Sequence, residues 1–180
     1  MDSWKKHLGN RTLCLWTEKS LDMSHPWVKE CFNARKYAFA TDYLRLWIVY
    51  FYGGIYLDVD VELIKDLEVD ENFFALESYT NSVALGLAFG AKKGNQVIAA
   101  LASMYDKMKL DLNDCYKQVQ PNLVTDVFVN NGWEYKDVKH EFKGFTIYPT
   151  DVFCPKNMMT QEIVLTDDSK AIHHYLGSWR

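Results

Sequence analysis

Between residues 24 and 54 the chain (SHPWVKECFNARKYAFATDYLRLWIVYFYGG) places apolar side chains at three- and four-residue steps, the period that collects them on one side of a helix. Tyr43, Leu44, Trp47, Ile48 and Phe51 are its expected packed face. Pro26 suits a first turn and Gly53-Gly54 a stop. Directly after the glycines, IYLDV is apolar and short, the pattern of a buried strand that releases its carboxylates at its C-terminal end. NFFALES and VALGLAFGA read as two further strands, and NQVIAALASMYDKM as a helix. PNLVTDVFVNNG predicts a second helix, with Pro121 near its start and Gly132 at its stop. FTIYP, EIVLT and KAIHHYL then predict short strands. Strands alternating with helices make an α/β protein, in which ligands gather where the strands end.

Composition narrows the picture further. With 180 residues, 48% of them hydrophobic, and no low-complexity run, the chain reads as one domain over residues 1–180. The net charge of -4 is mild and the basic residues (Lys5, Lys6, Lys92, Lys93) are scattered, so no stripe follows a nucleic-acid backbone. No apolar run reaches the ~20 residues of a membrane span, and the N-terminus lacks a charged-then-apolar pattern. A soluble, cytoplasmic protein is the expectation. Cys14, Cys31, Cys115 and Cys154 form no CxxC pair, which speaks against a zinc cluster or a dithiol motif and for reduced structural thiols. Six Trp and eleven Tyr exceed what a minimal core needs and are compatible with stacking on sugar or base rings.

Candidate chemistry begins at YGGIYLDVDVEL. On a strand, Asp58 and Asp60 would share a face and repel unless a cation stood between them. Hard oxygen ligands suit Mg²⁺ or Mn²⁺, whose shell is commonly completed by phosphate oxygens. By itself the motif is weak, since a chain with fifteen Asp is expected to contain ~1 such pair. Asp42 and Arg45, one turn apart on the preceding helix, could meet a sugar and a diphosphate. Spacing alone favours an ordinary surface ion pair.

Taken together, ATDYLRLWIVYFYGGIYLDVDVEL resembles the DXD-containing sugar-binding region of the family 32 glycosyltransferases, which include yeast Golgi mannosyltransferases and bacterial capsular and lipopolysaccharide enzymes of polysaccharide biosynthesis. The resemblance rests on an Ala-x-Asp-x-x-Arg helix, a Tyr-Gly-Gly-Ile-Tyr-Leu-Asp junction and the second Asp. Clostridial glucosylating toxins share the same core. It implies a GT-A fold, a Rossmann-like open mixed sheet flanked by helices, and transfer of a hexose with retention from a UDP- or GDP-sugar donor to a glycan or glycolipid acceptor. It also implies a divalent metal, Mn²⁺ or Mg²⁺. By the same resemblance, Asp42, Arg45, Asp58 and Asp60 are catalytic, while Asp42, Arg45, Tyr56, Asp58, Gly177, Ser178 and Trp179 bind the donor. Asp58, Asp60 and His174, rather than His173, are the expected metal ligands, from the likeness of HHYLGSW to the late segment of retaining transferases. Attack from the front face and a covalent double displacement both stay open.

Elsewhere VQPNLVTDVF resembles a Gly-Pro-x-x-Leu-Thr helix start in which Gln120 replaces the glycine, leaving Asn122 and Thr125 as helix-start residues. ALGLAFGAKKGN resembles the strand and turn that face the acceptor, with Glu77 near its entrance. Typical members open with a strand like IPKIIHYCWFG ahead of a segment that Ser3-Trp4-Lys5-Lys6 resembles. Here the chain starts at Met1, so a fold without the usual first strand, and with a reduced base pocket, is expected. A lipid-linked acceptor would bring peripheral contact with the inner membrane face. Two rival readings are a non-catalytic nucleotide-sugar-binding module and a haloacid-dehalogenase-type phosphatase, the latter calling on Asp167-Asp168 as its late acidic pair.

Overall fold

The computed structural model describes residues 1–77 and 80–176. Its elements in chain order are helices α1 (Asp2–His7), α2 (Pro26–Asn33) and α3 (Tyr37–Tyr52), and strands β1 (Gly54–Leu57), β2 (Val61–Leu63), β3 (Phe73–Glu77), β4 (Ser82–Val83) and β5 (Ala88–Ala91). Helices α4 (Gln96–Ser103) and α5 (Gln120–Asn130) follow, then β6 (His140–Phe142), β7 (Phe145–Tyr148), α6 (Thr150–Phe153) and β8 (Ala171–His173). Short 3₁₀ turns at Met104–Lys107 and Cys115–Gln118 flank the link between α4 and α5.

A mixed six-stranded sheet runs in the order β1-β5-β3-β7-β6, with β4 paired to the far end of β3. All its pairings are antiparallel except β3 with β7. This is the expected α/β fold, a sheet with helices on its faces, consistent with a GT-A-like open arrangement. Period-two alternation sorts the strand residues onto the two faces. Phe74 and Leu76 of β3, Phe89 of β5, and Phe145 and Ile147 of β7 pack with the side chains of α2 to α5. Phe73, Ala75, Ala88 and Tyr148 point the other way, toward α1, α6 and the two-stranded ribbon β2-β8. Where β5 crosses β3, only glycine fits. A Cβ on Gly90 would stand 2.7 Å from the Phe73 ring.

Helical territory over residues 24–54 divides into two helices, because Arg35 turns the chain through positive φ (58°) between them. Both glycines that end α3 have positive φ, and a Cβ on Gly53 would lie 2.8 Å from the Lys93 backbone nitrogen, so the junction is closed to larger residues. The packed face of α3 differs from its expected one. Phe39, Ala40, Leu44, Leu46 and Val49 enter the core, while half-buried Trp47 and exposed Phe51 pack against each other with tilted rings. VALGLAFGA is interrupted at residues 84–87, giving β4 and β5. EIVLT forms no strand beyond an isolated bridge from Ile163 to Lys156, because its apolar side chains find no core and stay exposed. Helices α1 and α6 and strand β6 lack a clear sequence period, so the pattern does not predict them. Helix α1 braces β2, the Trp4 indole N–H donating to the Val61 carbonyl at 2.6 Å.

Among the described residues no helix is long and apolar enough to cross a membrane.

Candidate functional site

Strands β1 and β3 both run antiparallel to β5, so their C-terminal ends lie at the same end of the sheet. Asp58 follows β1 there, and Glu77 ends β3. A cavity of about 310 Å³ opens between them, closed by the 84–87 crossing, the start of α5 and the far end of β8. Its polar lining joins Asp42 and Arg45 of α3 to Asp58, Asp60, Glu77, Gln120 and His173.

Rather than lying on a strand, the aspartate pair sits on the tight turn between β1 and β2, where the Val61 N–H donates to the Asp58 carbonyl at 3.0 Å. The shared-face argument therefore fails, but the turn still delivers both carboxylates to the cavity. Asp58 Oδ1 accepts from the Val59 N–H at 2.9 Å and from the Tyr56 hydroxyl at 3.5 Å. Asp60 Oδ2 accepts from the Leu176 N–H at 2.9 Å.

His173 and His174 separate by register. His173 lies opposite Val61 in the β2-β8 ribbon, so it shares Val61's face, and its Nε2 stands 3.3 Å from Asp60 Oδ1. His174, one residue on, takes the other face and pairs with Glu62 at 2.8 Å. The imidazole expected at the aspartates is thus His173, and His174 lies outside the cavity lining. Burial alone would raise the Asp60 carboxyl, yet the neighbouring His173 imidazole outweighs it and holds Asp60 below its usual range. In return, although burial works against it, Asp60 pushes His173 up to about 9.

Asp42 and Arg45 form a buried pair, not a surface one, with Nη2 to Oδ1 at 3.0 Å and side chains 12% and 5% exposed. Arg45 also donates to the Thr41 carbonyl (3.1 Å), the Thr41 hydroxyl (3.2 Å) and the Leu85 carbonyl (3.4 Å), and its guanidinium lies 4.8 Å over the Tyr56 ring. Among the described residues, three of its five N–H groups donate hydrogen bonds and a guanidinium nitrogen stands at ion-pair distance from Asp42, so it shapes the site more than it reaches for a ligand. Burial raises the Tyr56 phenol, which stays neutral. Burial also pushes the Asp42 carboxyl up to about 7 from 3.8, with Arg45 and the Gln120 backbone N–H pulling back. Because the folded value is the higher one, the folded protein holds this proton more tightly than the unfolded chain. That stability is complete below about pH 4 and is lost as the pH rises toward 7. Urea denaturation from pH 4 to 7 should show this decline, and Asp42→Asn should flatten it.

The donor set suits a hard divalent cation in one respect: Asp60 Oδ1 is buried without a hydrogen-bond partner, its contact with His173 having ion-pair distance but not hydrogen-bond geometry. Among the described residues no three His, Cys, Asp or Glu side chains converge to hold a metal by themselves. Asp58 and Asp60 fit the commoner Mg²⁺ or Mn²⁺ arrangement, one or two carboxylates with the ligand's phosphate supplying the remainder. Gly177, Ser178 and Trp179 lie outside the described residues. Asp167 and Asp168 are exposed and absent from the cavity lining, which leaves the phosphatase reading without its second acidic pair. Gln120, His173, Gly86 and Met158 line the cavity although their sequence context did not single them out for it. For His173 the missing signal was the β2-β8 register, which no local pattern encodes.

An open α/β sheet that brings an aspartate pair and a buried Asp-Arg pair to one cavity at its strand ends is suited to a phosphorylated sugar. Residues 1–80 match the family described as the glycosyltransferase sugar-binding region containing DXD motif, which supports a glycosyltransferase-type function. That span carries Asp42, Arg45, Asp58 and Asp60, while Gln120 and His173 lie beyond it. No curated protein matches the chain.

Proposed function

We propose that the protein is a retaining glycosyltransferase that moves a hexose from a UDP- or GDP-sugar to a hydroxyl of a glycan or glycolipid. The observation that carries this reading is the convergence of Asp42, Arg45, Asp58 and Asp60 on one cavity, within the matched region. Asp58 and Asp60 would hold Mn²⁺ or Mg²⁺ on the donor diphosphate. The bound ion would supply positive charge to stabilise the leaving nucleotide diphosphate.

The chain's own residues divide the remaining work. Asp42, fixed by Arg45, presents a carboxylate oxygen to a sugar hydroxyl. Arg45 holds that carboxylate and keeps Tyr56 against the aspartate turn. His173 orients Asp60, leaving Glu77 and the apolar wall of Ala84, Leu87 and Met158 to face the acceptor. Transfer breaks the anomeric C–O bond to the diphosphate and forms one to the acceptor oxygen, whose proton leaves with the departing phosphate in a front-face attack. The acceptor's membrane association and a cytoplasmic location belong to this same reading.

Its test is Mn²⁺-dependent nucleotide release from UDP-glucose, UDP-galactose, UDP-N-acetylglucosamine and GDP-mannose, with and without chelator. Release from one donor, lost with chelator, is the expected result. Nucleotide binding with no release from any of the four would instead identify a binding module.

A further inference from the structure

One polar group of the cavity has no task in the reading above. Gln120 opens α5 and is 1% exposed. Its Oε1 accepts the Gly86 N–H at 3.1 Å. Since a backbone N–H can only donate, the end of the amide against Gly86 must be the carbonyl, and this settles the orientation of the side chain. The Nε2 group therefore points elsewhere, and it is buried without a hydrogen-bond partner although Gln120 lines the cavity. Buried donors left unpaired are few in native proteins, and each calls for an explanation.

The surroundings of Nε2 narrow what it can meet. Gln120 and Asp42 line the same cavity, and Arg45, which pairs with Asp42, meets Gln120 at Gly86, so the residue sits near the expected sugar-holding group. Gly86 makes that proximity possible: a Cβ there would stand 3.0 Å from Arg45 Nη1 and 4.0 Å from Gln120 Oε1. The cavity thus offers an acceptor (Asp42) and a neutral donor (Gln120) side by side. A phosphate carries acceptors only and would face the Asp42 carboxylate. Two neighbouring hydroxyls, one donating and one accepting, match both groups.

We propose that Gln120 is a sugar-recognition residue whose Nε2 donates to a hydroxyl oxygen of the donor hexose, next to the hydroxyl held by Asp42. This rests on the glycosyltransferase reading and adds to it the element that selects among hexoses. A site built to hydrogen-bond a particular hydroxyl rejects analogues lacking it, because the buried amide is again left unpaired.

The test compares wild type with Gln120→Glu, which keeps the acceptor for Gly86, and Gln120→Met, which removes the amide without adding charge. Calorimetric titration in Mn²⁺ uses the four nucleotide sugars, UDP and GDP alone, and the 2-, 3-, 4- and 6-deoxy forms of the preferred donor. In both variants affinity for the preferred donor is expected to fall about tenfold while affinity for its free nucleotide is unchanged. Wild type should lose a similar factor on one deoxy donor, and that loss should vanish in the variants. Retention of the full deoxy penalty in Gln120→Met, or equal weakening of the free nucleotide, overturns the role of Gln120 and leaves the transferase reading standing. Failure of wild type to bind any of the four donors in Mn²⁺ overturns both.

Discussion

Asp60→Asn is expected to lower Mn²⁺-dependent donor turnover at least about a hundredfold with the fold intact, the scale on which removing one preorganised electrostatic group acts. Asparagine keeps an oxygen for the Leu176 N–H, the contact that fastens the turn to the chain after β8. What it removes is the negative charge facing His173 and the buried oxygen that has no hydrogen-bond partner. A matching melting temperature together with lost turnover separates a chemical role from a structural one; a large drop in melting temperature would mark the aspartate as a fold element. The two histidines supply an internal control. His173→Gln removes the side chain that pairs with Asp60 and should slow turnover, whereas His174→Gln breaks only the half-exposed contact with Glu62 and should leave turnover near wild type. The reverse order would return the imidazole role to His174.

Arg45→Met should cost about 3 kcal/mol of stability, the low end for breaking a buried ion pair. Methionine fills the stem of the side chain but leaves the Leu85 and Thr41 carbonyls without their donor and Asp42 without its counter-charge. The loss stays at the low end because Asp42, already raised by burial, can take up a proton in place of the lost cation. Adding Asp42→Asn to Arg45→Met should recover part of it, since the two sites are directly coupled. Urea unfolding of wild type, both single variants and the double variant checks this, and strict additivity would show that the pair contributes no mutual stabilisation.

Much of the fold was legible because it follows from local periods. Pro26, Gly53-Gly54, Pro121 and Gly132 marked helix ends that the structure keeps, and β3, β7 and β8 lie within apolar runs that are buried. Other expectations failed where long-range pairing decides. EIVLT has the composition of a strand but no partner beyond one bridge. Trp47 and Phe51 fit a helical stripe, yet the sheet packs the side carrying Leu44, Leu46 and Val49. Nothing local distinguishes a strand end from the turn that follows it, so the pattern places the aspartates on a strand. Asp42 and Arg45 could be paired from spacing, but their burial depends on α3 lying across β1 and the 84–87 crossing. For Gln120, a sequence that elsewhere in the family resemblance has glycine gave only a difference, and its orientation appears once Gly86 is seen beside it.

The β2-β8 ribbon ties Asp60 to Leu176 across 116 positions of chain. During synthesis the aspartate turn is therefore made long before the segment that fixes it, and β2 waits without its strand partner while the remaining elements emerge. Closing so long a loop gains nothing until its last contacts form, so the ribbon belongs to the late stage of folding. The half of the cavity built on α3 and β1 comes from nearby residues and can form earlier, so under the proposed function a nascent chain would acquire its cradle for the hexose before its grip on the diphosphate.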